Sequence, residues 1–159
     1  MASCRWVVGS ELKEEDTRYV GGNKVLVRRY FEEIWDKGNL DLIEELFTTN
    51  FVRHGPTATE GEVRGLDGFK ALVSMYRSAL PDLRVPIEDL IAEGDRVVTR
   101  WTARGTHQGE LMGNAPTGNR ASVSGILIDR ISGGKIEEEW VDYDTLHLMQ
   151  QIGGVPQPG

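Results

Sequence analysis

Polar and apolar residues alternate along the C-terminal part of the chain, from Arg120 to Tyr143. A period of two is typical of half-buried β-strands, so this stretch predicts two strands. The segment Ser132-Gly133-Gly134-Lys135 lies between them, and adjacent glycines accept the positive φ values of a two-residue hairpin turn. We therefore predict a β-hairpin, followed by a short helix from Asp144 to Gln151.

A regular register around this turn determines which side chains share a face, because directly paired residues project from the same side of a sheet. The predicted pairs are Asp129 with Glu138, Leu127 with Trp140, and Gly125 with Asp142. One face then carries Leu127, Asp129, Ile136, Glu138, Trp140 and Asp142. Carboxylates and an indole among aliphatic residues are unusual for a plain core, and this face indicates the wall of a small-molecule pocket.

The N-terminal half of the chain has the helical period instead. Three predicted helices begin at or near Asn23, Asp41 and Asp67, of which Asn23 and Asp67 are suitable caps. Gly38 ends the first helix and Pro81 ends the third, since neither residue favours a helix interior.

Extended segments follow the helical part. The pattern predicts a brief strand at Phe51–Pro56 and two long strands, Leu83–Ala92 and Arg96–His107. In the last of these, one face carries Val97, Thr99, Trp101 and Ala103, and the other carries Arg96, Arg100 and Arg104. Three helices followed by a meander of strands predict a cone-shaped α+β fold, in which the helices pack on a strongly curved antiparallel sheet and enclose a pocket.

The bulk composition limits the partners and the compartment. The chain of 159 residues has the size of one domain, and its formal charge of −7 argues against nucleic acid or an anionic membrane as the main partner. No apolar run reaches the roughly 20 residues that span a bilayer. Cys4 is the single cysteine, which excludes an internal disulfide. We expect a cytoplasmic protein without a membrane or nucleic-acid partner.

Neither a metal nor a cofactor is predicted. The histidines and carboxylates lack the spacing of a metal site, and the glycines after residue 105 do not lead from a strand into a helix, as a phosphate-binding loop would. We interpret residues 1–22 as an N-terminal extension, residues 23–153 as one domain, and residues 154–159 as a tail. Within the extension, Trp6-Val7-Val8 is either a short strand or a dimer contact.

An ordered set of short motifs resembles the SnoaL-like polyketide cyclase (ester cyclase) family over about residues 23–153. The matching residues are Tyr30-Phe31-Glu32-Glu33-Ile34-Trp35, Gly38-Asn39-Leu40, Phe51-Val52-Arg53-His54, Gly105-Thr106-His107-Gln108-Gly109, Pro116-Thr117-Gly118, Gly134-Lys135-Ile136 with Glu138 and Trp140, Asp144, and Leu148 with Gln151-Ile152-Gly153. The resemblance implies the cone-shaped fold of nuclear transport factor two, a small hydrophobic ligand, and a homo-oligomer, either a dimer or a tetramer.

The resemblance also implies a catalytic pattern. Characterised cyclases use an aspartate on the last strand as general acid/base, helped by a histidine on the preceding strand. Alignment on the Gly-Lys-Ile turn places Val141 and Leu127 at those positions, whereas a slip of one residue places Asp142 at the first. The two assignments exclude each other, because a slip of one residue turns a side chain to the opposite face. The predicted hairpin face favours Asp142.

Each candidate site residue has a functional and a structural interpretation. Asp142 is the candidate proton shuttle, Asp129 and Glu138 could share a proton, and the near-neutral pKa of an ordinary histidine suits His54 to proton transfer. In the structural interpretation, Asp142 is an exposed carboxylate at the end of its strand, and Asp129 or Glu138 forms an ion pair with an arginine. His54 then forms a hydrogen bond with the backbone. Three further candidates would bind the ligand or fill the core: Trp101, Trp140 and Leu127.

These residues predict a cofactor-independent enzyme that acts on a small hydrophobic carbonyl compound by acid/base chemistry. Cyclisation, isomerisation, dehydration and hydrolysis all remain open. One competing hypothesis is a protein that binds such a compound without transforming it. The other is a structural dimer module whose own side chains fill the cavity.

Overall fold

The computed structural model describes residues 14–57, 59–156 and 159. The helices are α1 (Glu14–Tyr30), a π-helical segment (Phe31–Asp36), a 3-10 turn (Leu40–Leu42), α2 (Ile43–Leu46), α3 (Gly65–Ala79) and α4 (Thr145–Gln151). The strands are β1 (Phe47–His54), β2 (Glu62–Arg64), β3 (Ile87–Glu93), β4 (Arg96–Thr106), β5 (Arg120–Ser132) and β6 (Lys135–Tyr143). The predicted α+β fold is confirmed. Within the described part of the chain, no helix is long and apolar enough to cross a membrane.

The six strands form one curved, open sheet in the order β2-β1-β6-β5-β4-β3. Four of the five neighbouring pairs are antiparallel, but β1 runs parallel to β6, so the sheet is mixed and not wholly antiparallel as predicted. The parallel pair arises because β1 is followed by β2 and α3, and the chain returns to β1 only with its last strand. The helices cover one face of this sheet.

The helix starts differ from the predicted caps. Helix α1 begins at Glu14, within the predicted N-terminal extension, and Asn23 lies inside it as a nearly buried residue. The Asn23 side-chain amide donates to the carbonyl oxygen of Gly94 at 3.4 Å, so this polar residue links α1 to the β3–β4 turn. Helix α3 begins at Gly65, before Asp67, and has no side-chain cap. The predicted strand at Trp6-Val7-Val8 lies outside the described residues.

Aromatic side chains join the helices to the sheet. Tyr30, at the end of α1, contacts Phe31 and Phe47 edge-to-face, with ring centroids 5.0 Å apart in both pairs. Phe47 also packs against Phe51 of the same strand, at 4.8 Å, and against Phe69 of α3, at 4.9 Å. Such rings bury large apolar areas and prefer these tilted arrangements. The cluster therefore positions α1 and α3 on β1, at one end of the sheet.

The predicted hairpin turn is confirmed, since Ser132 pairs with Lys135 and Gly133 and Gly134 have φ values of 57° and 77°. Just beyond the turn, however, the register shifts. Ile131 pairs with Ile136, but Arg130 pairs with Glu138, which leaves Glu137 as the extra residue of a β-bulge. A bulge places two residues opposite one and reverses the alternation that follows it.

The bulge makes the predicted hairpin face wrong. Asp129 pairs with Glu139, Leu127 with Val141, and Ile126 with Asp142. Asp129, Leu127, Glu139 and Val141 are buried beneath the helices, whereas Glu138, Trp140 and Asp142 lie on the outer face. One signal was visible in the sequence: Ile136 and Val141 are an odd number of positions apart, so they cannot both face the core from a regular strand.

Strand β4 has the predicted faces, with Val97, Thr99 and Trp101 buried and its arginines exposed. The Trp101 indole lies over Gly125, its partner on β5. A Cβ atom at Gly125 would overlap Trp101 Cζ2 and lie 2.8 Å from the carbonyl oxygen of Asp142. The missing side chain of Gly125 therefore leaves the space into which the indole packs.

We expect Gly125→Ala to lower the free energy of unfolding by about 1–3 kcal/mol, because the added methyl group forces the indole out of its packed position. Chemical denaturation measures this change. Ser124→Ala is the matched control on the exposed side of the same strand, and should change the free energy of unfolding by less than about 0.5 kcal/mol. Equal stability of Gly125→Ala and the wild type would contradict the packing described above.

Candidate active site

A cavity lies between the helices and the concave face of the sheet. It contains about 630 Å³ of empty space, part of which opens to solvent. Most of its wall is apolar, from the helical side chains Phe31 and Trp35 to the sheet side chains Trp101, Leu127 and Val141. Trp101 and Leu127, two of the predicted ligand-binding residues, thus lie on its wall, whereas Trp140 does not. The cavity is suited to an apolar molecule.

One part of the wall is polar and is built around Glu60. The carboxylate of Glu60, whose side chain is 1% exposed, accepts a hydrogen bond from Arg53 Nε at 2.9 Å. Its Oε1 atom also lies 3.0 Å from the Tyr76 hydroxyl and 3.1 Å from the Tyr143 hydroxyl. The two hydroxyls are 2.6 Å apart, and Thr59 Oγ1 is 2.9 Å from that of Tyr143. Charged and hydroxyl groups therefore converge on one point of an otherwise apolar wall.

The loop between β1 and β2 brings Glu60 to the cavity. The amide of Gly55 donates to the carbonyl oxygen of Gly61 at 2.8 Å, which closes the loop. The carbonyl oxygen of Pro56 accepts from the amides of Thr59, Glu60 and Gly61. A Cβ atom at Gly55 would overlap Glu60 Oε2, so glycine is needed for the carboxylate to reach Arg53.

A second buried carboxylate lies behind this wall. Glu139 forms an ion pair with Arg53 Nη1 and accepts a hydrogen bond from the Tyr30 hydroxyl at 2.8 Å. The Trp35 indole in turn donates to the Tyr30 oxygen at 2.8 Å. Although burial by itself lowers the pKa of Arg53, the charges of Glu139 and Glu60 outweigh it, so the pKa lies well above its ordinary value. Arg53 therefore stays charged between the two carboxylates.

Asp129 is the third acidic group of this interior. It is fully buried, and among the described residues no N–H or O–H group donates to either carboxyl oxygen. Burial, followed by the neighbouring charge of Glu139 and a hydrogen bond with it, raises the pKa of Asp129 well above the ordinary value. Glu139 has Arg53 and Tyr30 as donors and Asp129 has none, so the proton of the pair belongs to Asp129.

Three phenols are donors in this network: Tyr30 and Tyr76 are buried, and Tyr143 is half-buried. Burial is the largest cause of the raised pKa of all three, with the charge of the neighbouring carboxylate second. The pKa of Tyr143 is raised to about 12, and those of Tyr30 and Tyr76 are also raised well above the ordinary value. Each hydroxyl therefore keeps its proton at neutral pH and can donate it in a hydrogen bond.

The remaining predicted acid/base residues lie on the outer face of the sheet. His54 Nε2 is 2.9 Å from Glu138 Oε1, and its ring stacks on Trp140 with centroids 5.5 Å apart. Glu138 also pairs with Arg130 at 2.6 Å, as the structural interpretation predicted. Asp142 is exposed on the same face. The structure thus places Asp129 in the interior and Glu138, His54 and Asp142 on the outer face, so the four predicted catalytic residues do not share one site.

Sequence reasoning missed the residues of the polar wall. Arg53 could have been found, because it is two positions from Phe51 and so shares the core face of that strand. Tyr76 was recognisable only as part of the apolar stripe of α3, and Glu60 lies in a loop whose course local sequence does not determine. Within the described residues, no group of three or more His, Cys, Asp or Glu side chains is arranged to hold a metal.

A family profile and a sequence relative both relate this chain to polyketide cyclases. The profile of the family described as SnoaL-like polyketide cyclase matches residues 25–152. The chain is similar to the aklanonic acid methyl ester cyclase DnrD of Streptomyces peucetius, with 31% identity over 132 residues that cover 80% of this chain and 88% of the relative.

Solved structures show the same fold. A protein of Jannaschia sp. CCS1, assigned as a SnoaL-like polyketide cyclase, superposes with a TM-score of 0.79 at 26% identity and covers 87% of this chain and 96% of its own. AclR of Streptomyces galilaeus, assigned as a hydroxylase, has a TM-score of 0.77 at 29% identity, covering 88% of this chain and 86% of its own. Proteins assigned to different reactions thus share this architecture.

The raised pKa of Asp129 predicts a pH-dependent difference in stability between Asp129→Asn and the wild type. The folded wild type holds a proton that the unfolded chain releases above a pKa of about 3.9, so it loses stability as the pH rises from there through the raised pKa. The variant cannot ionise and should gain stability relative to the wild type over that window, by up to about 1.4 kcal/mol per pH unit.

Glu138→Gln is the matched control, for which the expected pH dependence of stability has the opposite sign. Hydrogen bonds from His54 and then Arg130 lower the pKa of Glu138. Its stabilisation is therefore present above the unfolded pKa of about 4.3 and is lost as the pH falls through the lowered value. Chemical denaturation between pH 3 and 8 measures both variants. A pH-independent difference between Asp129→Asn and the wild type would show that the pKa of Asp129 is not raised in the folded protein.

Proposed function

The chain belongs to the SnoaL-like polyketide cyclase family, and on that basis we propose that it is an enzyme of cofactor-independent acid/base chemistry. The proposed substrate is a small hydrophobic compound with carbonyl groups, because an apolar cavity with a few converging polar groups suits such a molecule. The observation that carries the proposal is the buried Glu60 carboxylate on the cavity wall, next to two phenol hydroxyls.

Glu60 is the proposed proton acceptor and Tyr143 the proposed donor to the substrate. Tyr76 and Tyr143 each reach Glu60 Oε1, at 3.0 and 3.1 Å. The Tyr143 hydroxyl can therefore turn its proton towards a ligand while Tyr76 still donates to Glu60. A carboxylate and an O–H group that face the same small volume are the two groups that enolisation of a ketone or ester requires.

The proposed reaction is an intramolecular aldol ring closure. A C–H bond next to a carbonyl group breaks, its proton passes to Glu60, and the electron pair forms an enolate whose oxygen accepts a hydrogen bond from Tyr143. The enolate carbon then attacks a second carbonyl carbon of the same molecule, which forms a C–C bond and an alkoxide. Protonated Glu60 returns its proton to the alkoxide, so no other reactant is consumed. Isomerisation shares the first step.

This assignment moves the acid/base group away from the last strand. In the alignment on the Gly-Lys-Ile turn, the positions of the family's aspartate and histidine hold Val141 and Leu127, which pair across β5 and β6 and face the cavity. Neither side chain can transfer a proton. Glu60 contributes a carboxylate to the same cavity from the loop after β1, which supports a relocated proton acceptor.

We expect Glu60→Gln to lower the rate of ring closure by about 10²–10⁴-fold, because the amide cannot accept the proton. Tyr143→Phe removes one hydrogen-bond donor to the enolate and should lower the rate by about 10²-fold. The probe substrate is aklanonic acid methyl ester, the compound in the name of the relative, and product formation is followed by chromatography. Deuterium uptake next to its carbonyl groups in D₂O measures the first step separately.

Two further variants make this test specific. Glu93→Gln, at the exposed end of β3, should retain the wild-type rate. Asp142→Asn addresses the alternative acid/base position from the outer face, and a loss of activity there with normal activity of Glu60→Gln would reverse the assignment. A wild-type protein that binds the probe but catalyses neither ring closure nor deuterium uptake would be a binding protein, which is the alternative function.

We also propose that the chain forms a homo-oligomer through the outer face of the sheet. Ile91 and Ile126 are 64% and 51% exposed, and their cross-strand partners place both on this face. Sedimentation equilibrium should give at least twice the monomer mass, and Ile126→Asp should shift the protein towards the monomer. A wild-type monomer at high protein concentration would contradict this proposal.

A further inference from the structure

The indole N–H of Trp101 is a buried donor without a partner. The Trp101 side chain is 7% exposed and lies on the cavity wall, and among the described residues no group accepts from its Nε1 atom. Buried N–H groups in folded proteins almost always have an acceptor, since an unmade hydrogen bond costs the full desolvation of the donor. An unpaired donor on a cavity wall therefore points to an acceptor that arrives with the ligand.

The second tryptophan of the cavity provides a contrast. Trp35 also lies on the wall, but its indole N–H donates to the Tyr30 hydroxyl at 2.8 Å. The fold thus supplies an internal acceptor for one of the two indoles and not for the other. The apolar neighbours Val123, Leu127 and Val141 offer no side-chain acceptor on this side of the cavity.

The surroundings of Trp101 hold its ring in place. Gly125 leaves space for the indole on one side, and the ring of Tyr143 lies 6.0 Å away at an interplanar angle of 54°. Because Tyr143 also bonds Glu60, the indole is next to the polar wall. A ligand oxygen that reaches Trp101 would therefore be placed at a defined distance from the proposed proton acceptor.

We infer that Trp101 Nε1 donates a hydrogen bond to a carbonyl oxygen of the bound ligand and thereby orients the ligand towards Glu60. The carbonyl class of the ligand rests on the proposed function, whereas the unpaired donor is a feature of the cavity itself. An indole N–H is a donor only, so it selects an acceptor at this point. Trp101 is then a residue for orientation and specificity and takes no part in proton transfer.

A matched pair of small probes tests the inference by binding alone. 2-Acetylnaphthalene carries a carbonyl oxygen, and 2-isopropenylnaphthalene has a CH₂ group in the same place. We expect the wild type to bind the ketone about tenfold more tightly than the alkene, because the alkene leaves the donor unpaired. In ¹H–¹⁵N spectra the Trp101 indole resonance, assigned by its loss in Trp101→Phe, should move downfield with the ketone and not with the alkene.

Removal of the N–H group without a change of shape makes the test sharper. Trp101→benzothienylalanine, introduced by site-specific incorporation, replaces the N–H group by sulfur and should abolish the preference for the ketone while leaving the affinity for the alkene unchanged. The same replacement at Trp140 is the control, because Trp140 lies on the outer face, and the tenfold preference should persist there.

Four outcomes would overturn the inference: no binding of the ketone at millimolar concentration, equal affinities for ketone and alkene, an unshifted Trp101 resonance, or an unchanged preference after the N–H group is removed. Failure of the proposed function gives a different result. The acetyl group of the ketone carries exchangeable protons, so a retained preference without catalysed deuterium uptake contradicts only the acid/base proposal. Catalysed uptake without a preference contradicts only the role of Trp101.

Discussion

The Arg53 guanidinium holds two buried carboxylates together, Glu60 on the cavity wall and Glu139 behind it. Buried charges are costly unless they are paired, and removal of one partner leaves the others uncompensated. Glu60 comes from the loop after β1 and Glu139 from the last strand, so this one cation connects a loop to the sheet. The position of the Glu60 carboxylate, and with it the polar wall of the cavity, depends on that pairing.

The bulge at Glu137 decides which acidic side chains take part. Without it, Glu138 and Asp142 would face the interior and Glu139 would face solvent. With it, Glu139 meets Arg53 and Asp129, while Glu138 joins His54 and Arg130 on the outer face. The run of three glutamates concealed the change of face, because a period of two cannot be seen among identical residues.

The cavity combines the fold of the family with a small number of polar groups on an apolar wall. The fold is that of the family, and the side chains that face the cavity from the paired positions of β5 and β6 are the apolar Leu127 and Val141. The titratable groups that face the cavity come instead from β1, its following loop, α3 and the end of β6. A fold of this kind can host different sites, because its interior is reached from several elements and the chemistry belongs to the site.

The sequence by itself determined the existence of the helices and long strands, the glycine turn and the fold class, because each depends on local periodicity or on the φ angles of a few residues. It also indicated that Trp101 and Leu127 share the interior, since β4 and β5 follow a regular alternation. Only the tertiary structure decided the face of Asp142, the pairing of Arg53 and the entry of Glu60 into the cavity. Those features depend on a bulge and on contacts between residues far apart in the chain, which local patterns do not encode.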